Sequence, residues 1–296
     1  MPCYRPNPAW KTSAGKITFT MPRKPGERLM LPCGSCIGCH MQRARATAVR
    51  SMHEASMHDF NSFVTLTYDD AHLPHDHSLD KRHFQLFINA LRSEMRRKDW
   101  GTVRYLMCGE YGDNNQRPHY HALLFGMDFP DKKPWRKQRG NVLYRSALLE
   151  RLWPHGFSEI GSVTFQSAAY VARYVLKKHN PDKPTTWTNP DTGEIHKLLP
   201  EYTCRSLKPG LGESWFLTYK SDVFPHDFCV VKATKVRTPR YYDVLLERHF
   251  GPGELEAVKK ARVDRALVYQ QDITPKRLRV QEKVQAAKIK LLKRDL

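Results

Sequence analysis

No stretch of about 20 apolar residues occurs in the 296-residue chain, so no membrane-spanning helix is expected. The opening Met1-Pro2-Cys3-Tyr4-Arg5-Pro6-Asn7-Pro8 has no apolar run of the secretory type, and the protein is expected to stay where it is made. No Gly-x-x-x-x-Gly-Lys-Ser/Thr motif is present, which excludes a fused P-loop motor. No internal repeat is visible. Acidic residues are scarce: 30 Asp and Glu stand against 49 Lys and Arg, giving a net charge of +19 and a pI near 9.7. Such a surplus is the footprint of a polyanion partner, nucleic acid first and an anionic membrane surface second. The seven cysteines are odd in number and clustered, unlike a disulfide framework. In a reducing cytosol they read as metal ligands or plain thiols.

What is present divides the chain into four stretches. Residues 1–58 form a Pro-, Gly- and Arg-rich arm, a cysteine knuckle and a basic helix over 41–59. Residues 59–180 alternate strand and helix patterns and form the core. Residues 181–240 read as an irregular excursion with extra strands, and 241–296 as a basic helical region. Within the core, Phe63-Val64-Thr65-Leu66-Thr67-Tyr68 is β-branched and aromatic, as a central strand would be. Asp80 is placed to cap a helix over 81–98, whose Phe84, Phe87, Ile88, Leu91 and Met95 recur at helical spacing. Residues 103–108 read as a strand that forms a hairpin with a second strand from 118. Residues 131–140 read as a basic loop, 144–153 as a short helix, 158–165 as a strand and 167–178 as a helix.

The second strand of the hairpin carries His119-Tyr120-His121 ahead of Leu123-Leu124-Phe125. Side chains alternate along a strand, so both imidazoles face one way and Tyr120 the other. Two imidazoles on one rigid strand can grip one divalent ion. Glu110, at the end of the preceding strand, is a cross-strand neighbour and a candidate third ligand; otherwise it is a loop carboxylate or an ion-pair partner for Arg117. Three protein ligands with open positions make a catalytic rather than a closed site. Tyr170 and Tyr174 are four apart on a helix and share a face, with Arg173 between them and Lys177 and Lys178 in the next turn. Cations there favour phenolate and bound phosphate. A tyrosine attacking a metal-polarised phosphodiester would keep the strand as a phosphotyrosine, with no need for ATP. Pro32-Cys33-Gly34-Ser35-Cys36-Ile37-Gly38-Cys39-His40 has the spacing of a metal knuckle. Cys33, Cys36 and Cys39 supply three thiolates to a structural zinc site, with Cys3 or His40 as the fourth ligand, or the thiols are free. Arg43, Arg45 and Arg50 on the following helix are candidate phosphate contacts or a solvated face.

His119-Tyr120-His121-Ala122-Leu123-Leu124 resembles the metal motif of the HUH endonucleases. Phe63–Tyr68 resembles their first motif, and Tyr170-Val171-Ala172-Arg173-Tyr174-Val175-Leu176-Lys177-Lys178 resembles the two-tyrosine motif of rolling-circle initiators. The order, the spacing and the early cysteine run resemble the replication initiation proteins of the gokushovirus branch of the microviruses, over residues 30–180. The resemblance implies an α+β fold: a central antiparallel sheet of split-βαβ, RRM-like type with flanking helices. It implies Mg2+ or Mn2+ on Glu110, His119 and His121, with Tyr170 and Tyr174 as nucleophiles and Lys177 steadying the phosphate or the tyrosine. Arg173 and Lys178 are expected at the DNA. The expected partners are single-stranded origin DNA, a host helicase and a host DNA polymerase, in the cytoplasm of a bacterial host. Transposases and relaxases share this chemistry, and a non-catalytic RRM-like binder with a zinc knuckle is the alternative of another class.

Overall fold

The computed structural model describes residues 3–22, 26–112, 116–138, 140–174, 186–268 and 273–291, with the side chains of Arg173 and Tyr174 outside that description. In chain order the elements are β1 (Asn7–Lys11), β2 (Ile17–Thr18), β3 (Arg28–Leu31), α1 (Ile37–Ala55), β4 (Asn61–Tyr68), α2 (Lys81–Lys98), β5 (Arg104–Tyr111) and β6 (Pro118–Phe125). There follow β7 (Lys133–Gln138), β8 (Asn141–Arg145), α3 (Ala147–Leu152), β9 (Gly156–Gly161), α4 (Phe165–Tyr174), β10 (Thr186–Thr188), β11 (Ile195–Lys197) and β12 (Tyr202–Arg205). The last are α5 (Glu213–Thr218), β13 (Phe228–Val231), β14 (Thr234–Arg237), α6 (Arg240–Phe250), α7 (Pro252–Leu267) and α8 (Pro275–Leu291). No helix among the described residues is long and apolar enough to cross a membrane.

The chain divides into two compact units. One is built from both ends, Met1–Ala44 with Leu246–Asp295; the other is Arg45–Leu245. The first holds a small antiparallel sheet in the order β2-β1-β3 and the basic helices α7 and α8. The second is an α+β body around a seven-stranded antiparallel sheet in the order β12-β5-β6-β4-β9-β8-β7.

One face of this sheet carries the main core. Val64, Leu66 and Tyr68 of β4 and Tyr120, Ala122 and Leu124 of β6 point to it and pack against α2 and α3. The apolar stripe of α2 is the one its spacing predicts: Phe84, Phe87, Ile88, Leu91 and Met95 are its buried residues. Each such side chain contributes about 1.5–3 kcal/mol when fully buried. Asp80 caps α2, accepting from the Arg82 N–H at 2.7 Å. The opposite face is covered by Ala48 and Ala55 of α1 and by Ala168 and Val171 of α4, which meet Leu106, Cys108, Leu123 and Phe125.

Two expectations change. Within the basic stretch expected as a loop, Lys133–Gln138 is an edge strand, β7, that pairs with β8. The helix expected from 144 begins at Ala147, because Asn141–Arg145 is spent on pairing and Ser146 caps the helix. The extra strands expected within 181–240 include β12, which extends the sheet beside β5.

Candidate metal and nucleophile site

The β5–β6 hairpin sets Glu110 directly opposite His119 and Cys108 opposite His121. On its other side β6 pairs with β4, placing Thr65 opposite His121 and Thr67 opposite His119. Glu110, His119 and His121 therefore share a face, with one ligand atom from each within 4.8 Å of the others. Tyr120 points to the other face and is fully buried there, its hydroxyl donating to the Asp80 carbonyl at 2.6 Å.

Both imidazoles are oriented from behind. His119 Nδ1 lies 3.0 Å from the Arg117 carbonyl oxygen, which can only accept, so Nδ1 carries the proton and Nε2 faces the site. His121 Nδ1 lies 2.9 Å from Thr65 Oγ1, and its ring stacks on Phe63 with centroids 5.4 Å apart. Each Nε2 lies 2.9 Å from Glu110 Oε1. The other carboxylate oxygen, Oε2, is buried with no hydrogen-bond partner among the described residues. Burial pushes the Glu110 carboxyl up, but the bonds to His119 and His121 outweigh it and hold the group at about 2. Burial lowers both histidines. In His119 the bond to Glu110 overcomes that and raises it, whereas in His121 burial wins. Arg117 pairs with Asp70 and the Tyr68 carbonyl rather than with Glu110.

A buried carboxylate with one unpartnered oxygen, beside two imidazoles whose Nε2 atoms converge on it, fits a divalent cation. Two nitrogens with one oxygen suit Mn2+ better than Mg2+, which favours all-oxygen shells.

Helix α4 brings Tyr170 to this face. Its start is fixed by a reciprocal pair: the Ser167 N–H donates to Thr164 Oγ1 at 3.1 Å, and the Thr164 N–H donates to Ser167 Oγ at 2.8 Å. Ala168, Val171 and Ala172 are buried. The Tyr170 hydroxyl donates to Glu110 Oε1 at 3.0 Å, and its ring meets His121 edge-on at 5.2 Å. The side chains of Tyr174 and Arg173 lie outside the described residues, as do Lys177 and Lys178.

Cys3, Cys33, Cys36 and Cys39 are brought together in the other unit. The three arginines of α1 have different settings. Arg43 and Arg45 are exposed, Arg43 bonding the Gly34 carbonyl. Arg50 is packed into the fold: its Nε donates to the Leu211 carbonyl at 2.9 Å and its guanidinium lies 3.9 Å from the Tyr241 ring centroid. Burial lowers it to about 10.

Two residues that shape the site gave no signal in the sequence. Thr65 reads as an ordinary strand threonine until pairing sets it against His121. Glu201 accepts the Tyr111 N–H at 3.3 Å and its charge helps raise His119. Only the β12–β5 pairing brings it there.

The family model for replication-associated protein ORF2/G2P matches residues 61–179, the stretch that holds the three candidate ligands and both tyrosines. The chain is similar to the replication-associated protein VP4 of Bdellovibrio phage phiMH2K, 36% identical over 252 residues, or 82% of this chain and 76% of that one. Replication-associated protein ORF2 of Spiroplasma virus 4 is 31% identical over 231 residues, 74% of this chain and 68% of that one. Replication-associated protein ORF4 of Chlamydia phage 1 is 30% identical over 223 residues, 74% of this chain and 54% of that one. No solved structure matches the chain. By these likenesses the chain belongs to the replication-associated proteins of gokushovirus-like microviruses.

Proposed function

We infer that the protein is a site-specific DNA nicking and joining enzyme that starts and ends rolling-circle replication of a single-stranded DNA phage genome. The observation that carries this reading is the Tyr170 hydroxyl bonded at 3.0 Å to the carboxylate that also gathers His119 Nε2 and His121 Nε2. A nucleophile beside a three-ligand cation seat is what metal-assisted phosphoryl transfer requires. Held by Glu110, His119 and His121, Mg2+ or Mn2+ would supply Lewis-acid polarisation of the scissile phosphate.

The remaining steps belong to the chain's own residues. Tyr170 Oη forms the new O–P bond as the P–O3′ bond breaks, and the phenolic proton passes from the Glu110 side to the departing 3′ oxygen. One phosphodiester replaces another, so the energy needed for rejoining is kept in the 5′-phosphotyrosine. Tyr174 serves as the second nucleophile, which cuts the regenerated origin. The released 3′ hydroxyl then attacks the first phosphotyrosine and closes the circle. Lys177 steadies the phosphate, and Arg43, Arg45, Arg173 and Lys178 serve the DNA backbone. A host helicase separates the strands and a host polymerase extends the free 3′ end, both in the bacterial cytoplasm.

The test uses labelled single-stranded oligonucleotides tiling the phage's own genome, with Mn2+ or Mg2+. A DNA adduct surviving SDS is expected from one region only. It should be absent for His119→Ala, for His121→Ala and for the Tyr170→Phe, Tyr174→Phe double variant, all of which keep salt-sensitive DNA binding. An adduct formed by the double variant would refute the nucleophile assignment. No adduct with any divalent ion would make the protein a binder rather than an enzyme.

A further inference from the structure

One buried cluster in the unit built from the two chain ends is dominated by cysteine. It consists of buried Tyr4, Cys36, Cys39 and Leu278, with half-buried Cys3, Cys33 and Ile37 against it. Four of those seven side chains are cysteines. A cluster so rich in thiols is held together by disulfides or by a metal. No cysteine of the chain is in a disulfide.

The four thiols converge instead. Their Sγ atoms all lie within 4.8 Å of one another, Cys3 Sγ at 3.5 Å from Cys33 Sγ and 3.8 Å from Cys36 Sγ. Four sulfurs at tetrahedral corners, each about 2.3 Å from a central ion, stand about 3.8 Å apart. Backbone amides are aimed at them. The Cys33 N–H donates to Cys3 Sγ at 3.2 Å, the Cys36 N–H to Cys33 Sγ at 3.3 Å and the Tyr4 N–H to Cys36 Sγ at 3.4 Å. Such bonds favour thiolate over thiol. Gly34 makes the bend between Cys33 and Cys36 with φ +79°, in the left-handed region, and α1 then carries Cys39 in its first turn. Arg5, Arg28 and Arg279 line the cleft beside Cys3 with Glu282, which pairs with Arg5 at 3.0 Å, so the lining keeps a net positive charge toward the net −2 of a dication with four thiolates.

We propose that Cys3, Cys33, Cys36 and Cys39 form a closed tetrathiolate site for one Zn2+, and that this ion is the staple of the unit. It ties the N-terminal arm to the start of α1 under Leu278 of α8. Binding forms four Zn–S bonds and releases the four thiol protons to solvent, with no change of oxidation state. Four sulfurs leave no open position, so the site is structural. His40, the rival fourth ligand, is outside the converging group. The inference is independent of the nicking reaction.

The test takes the full chain, purified without added metal and dialysed against a weak chelator, and counts metals by mass spectrometry. One zinc per chain is expected. It should be released by a mercurial as the four ligand thiols react, beyond the exposed thiol of Cys204. Replacement by Co2+ should give the intense visible bands of a tetrahedral tetrathiolate. Cys3→Ser should weaken and shift those bands; His40→Ala and Cys204→Ser should leave them unchanged. Stripping the zinc should open the first 40 residues to protease, and adding zinc back should close them. Iron in place of zinc, no uptake of zinc by the wild-type chain, or an octahedral cobalt spectrum would overturn the proposal. So would a shift of the bands by His40→Ala with none by Cys3→Ser.

Discussion

Replacing Thr65 by valine tests whether the proposed metal seat depends on orientation as well as on ligands. Thr65 stands opposite His121 across β4 and β6, with Oγ1 2.9 Å from Nδ1. Valine keeps the shape and the strand preference but puts a methyl where the hydroxyl was. His121 is only 8% exposed, so water is a poor substitute for the lost partner. A buried polar atom left unpaired costs about 1–3 kcal/mol. The ring also loses the contact that fixes its orientation. Loss of such an orienting bond lowers metal affinity roughly 10- to 100-fold. Calorimetric titration with Mn2+ reads the affinity, and nicking rate against Mn2+ concentration reads its consequence. The expected result is a Mn2+ dependence displaced by that factor, with the maximal rate largely restored at saturation. Thr65→Ser, which keeps the hydroxyl, should stay near wild type. Wild-type affinity in Thr65→Val, or an equal loss in Thr65→Ser, would refute the reasoning.

A Cβ added in Gly109→Ala would lie 3.0 Å from the Tyr202 ring, 3.1 Å from Leu79 and 3.3 Å from Tyr120, the wall behind both histidines. Urea unfolding should show a loss of about 1–3 kcal/mol, and Mn2+ affinity should fall with it. Burial holds His53 down to about 4, with its ring 3.5 Å from that of Trp215 and Nδ1 2.8 Å from the Tyr242 hydroxyl. The folded state then binds fewer protons than the unfolded one below the ordinary value near 6.5, so stability present above that pH is lost as pH falls toward 4, by about 3 kcal/mol in all. Thermal melts of His53→Gln should lose less over that range than wild type; parallel curves would count against burial of a neutral ring. Glu54 is buried, pairs with Arg104 and accepts the Gly212 N–H at 2.6 Å. Glu54→Gln leaves that guanidinium unpaired and should lower the urea midpoint by the equivalent of about 3–5 kcal/mol.

Features set by neighbours in sequence were legible. The two-residue period of β6 puts His119 and His121 on one face and Tyr120 on the other without knowledge of the fold. The stripe of α2 and its Asp80 cap read the same way. Features set by distant pairing were not. Lys133–Gln138 has no apolar alternation, and only its ladder with β8 makes it a strand. Thr65 and Glu201 have ordinary local settings, and their places beside the histidines follow from register and from β12 at the sheet edge. Nothing local couples Met1–Ala44 to Leu246–Asp295, yet they form one unit.

The proposed seat for an ion stands in the middle of the seven-stranded sheet. Glu110, the two histidines and Thr65 occupy β5, β6 and β4, neighbouring strands that are each paired on both sides. Slipping β6 by one residue would break two ladders and turn both histidines to the opposite face. The same slip would expel Tyr120, whose hydroxyl lies 2.9 Å from that of Tyr68 and accepts the Asp80 N–H at 3.0 Å. Core and site therefore fix one register together. Tyr170 comes from a different element, α4, whose own anchors are Ala168, Val171 and Ala172. In the proposed reaction this division matters. Two tyrosines four residues apart differ by about 6 Å along a helix. One can replace the other at the phosphate by a step of the helix or of the DNA, while the sheet keeps the ligands where they are.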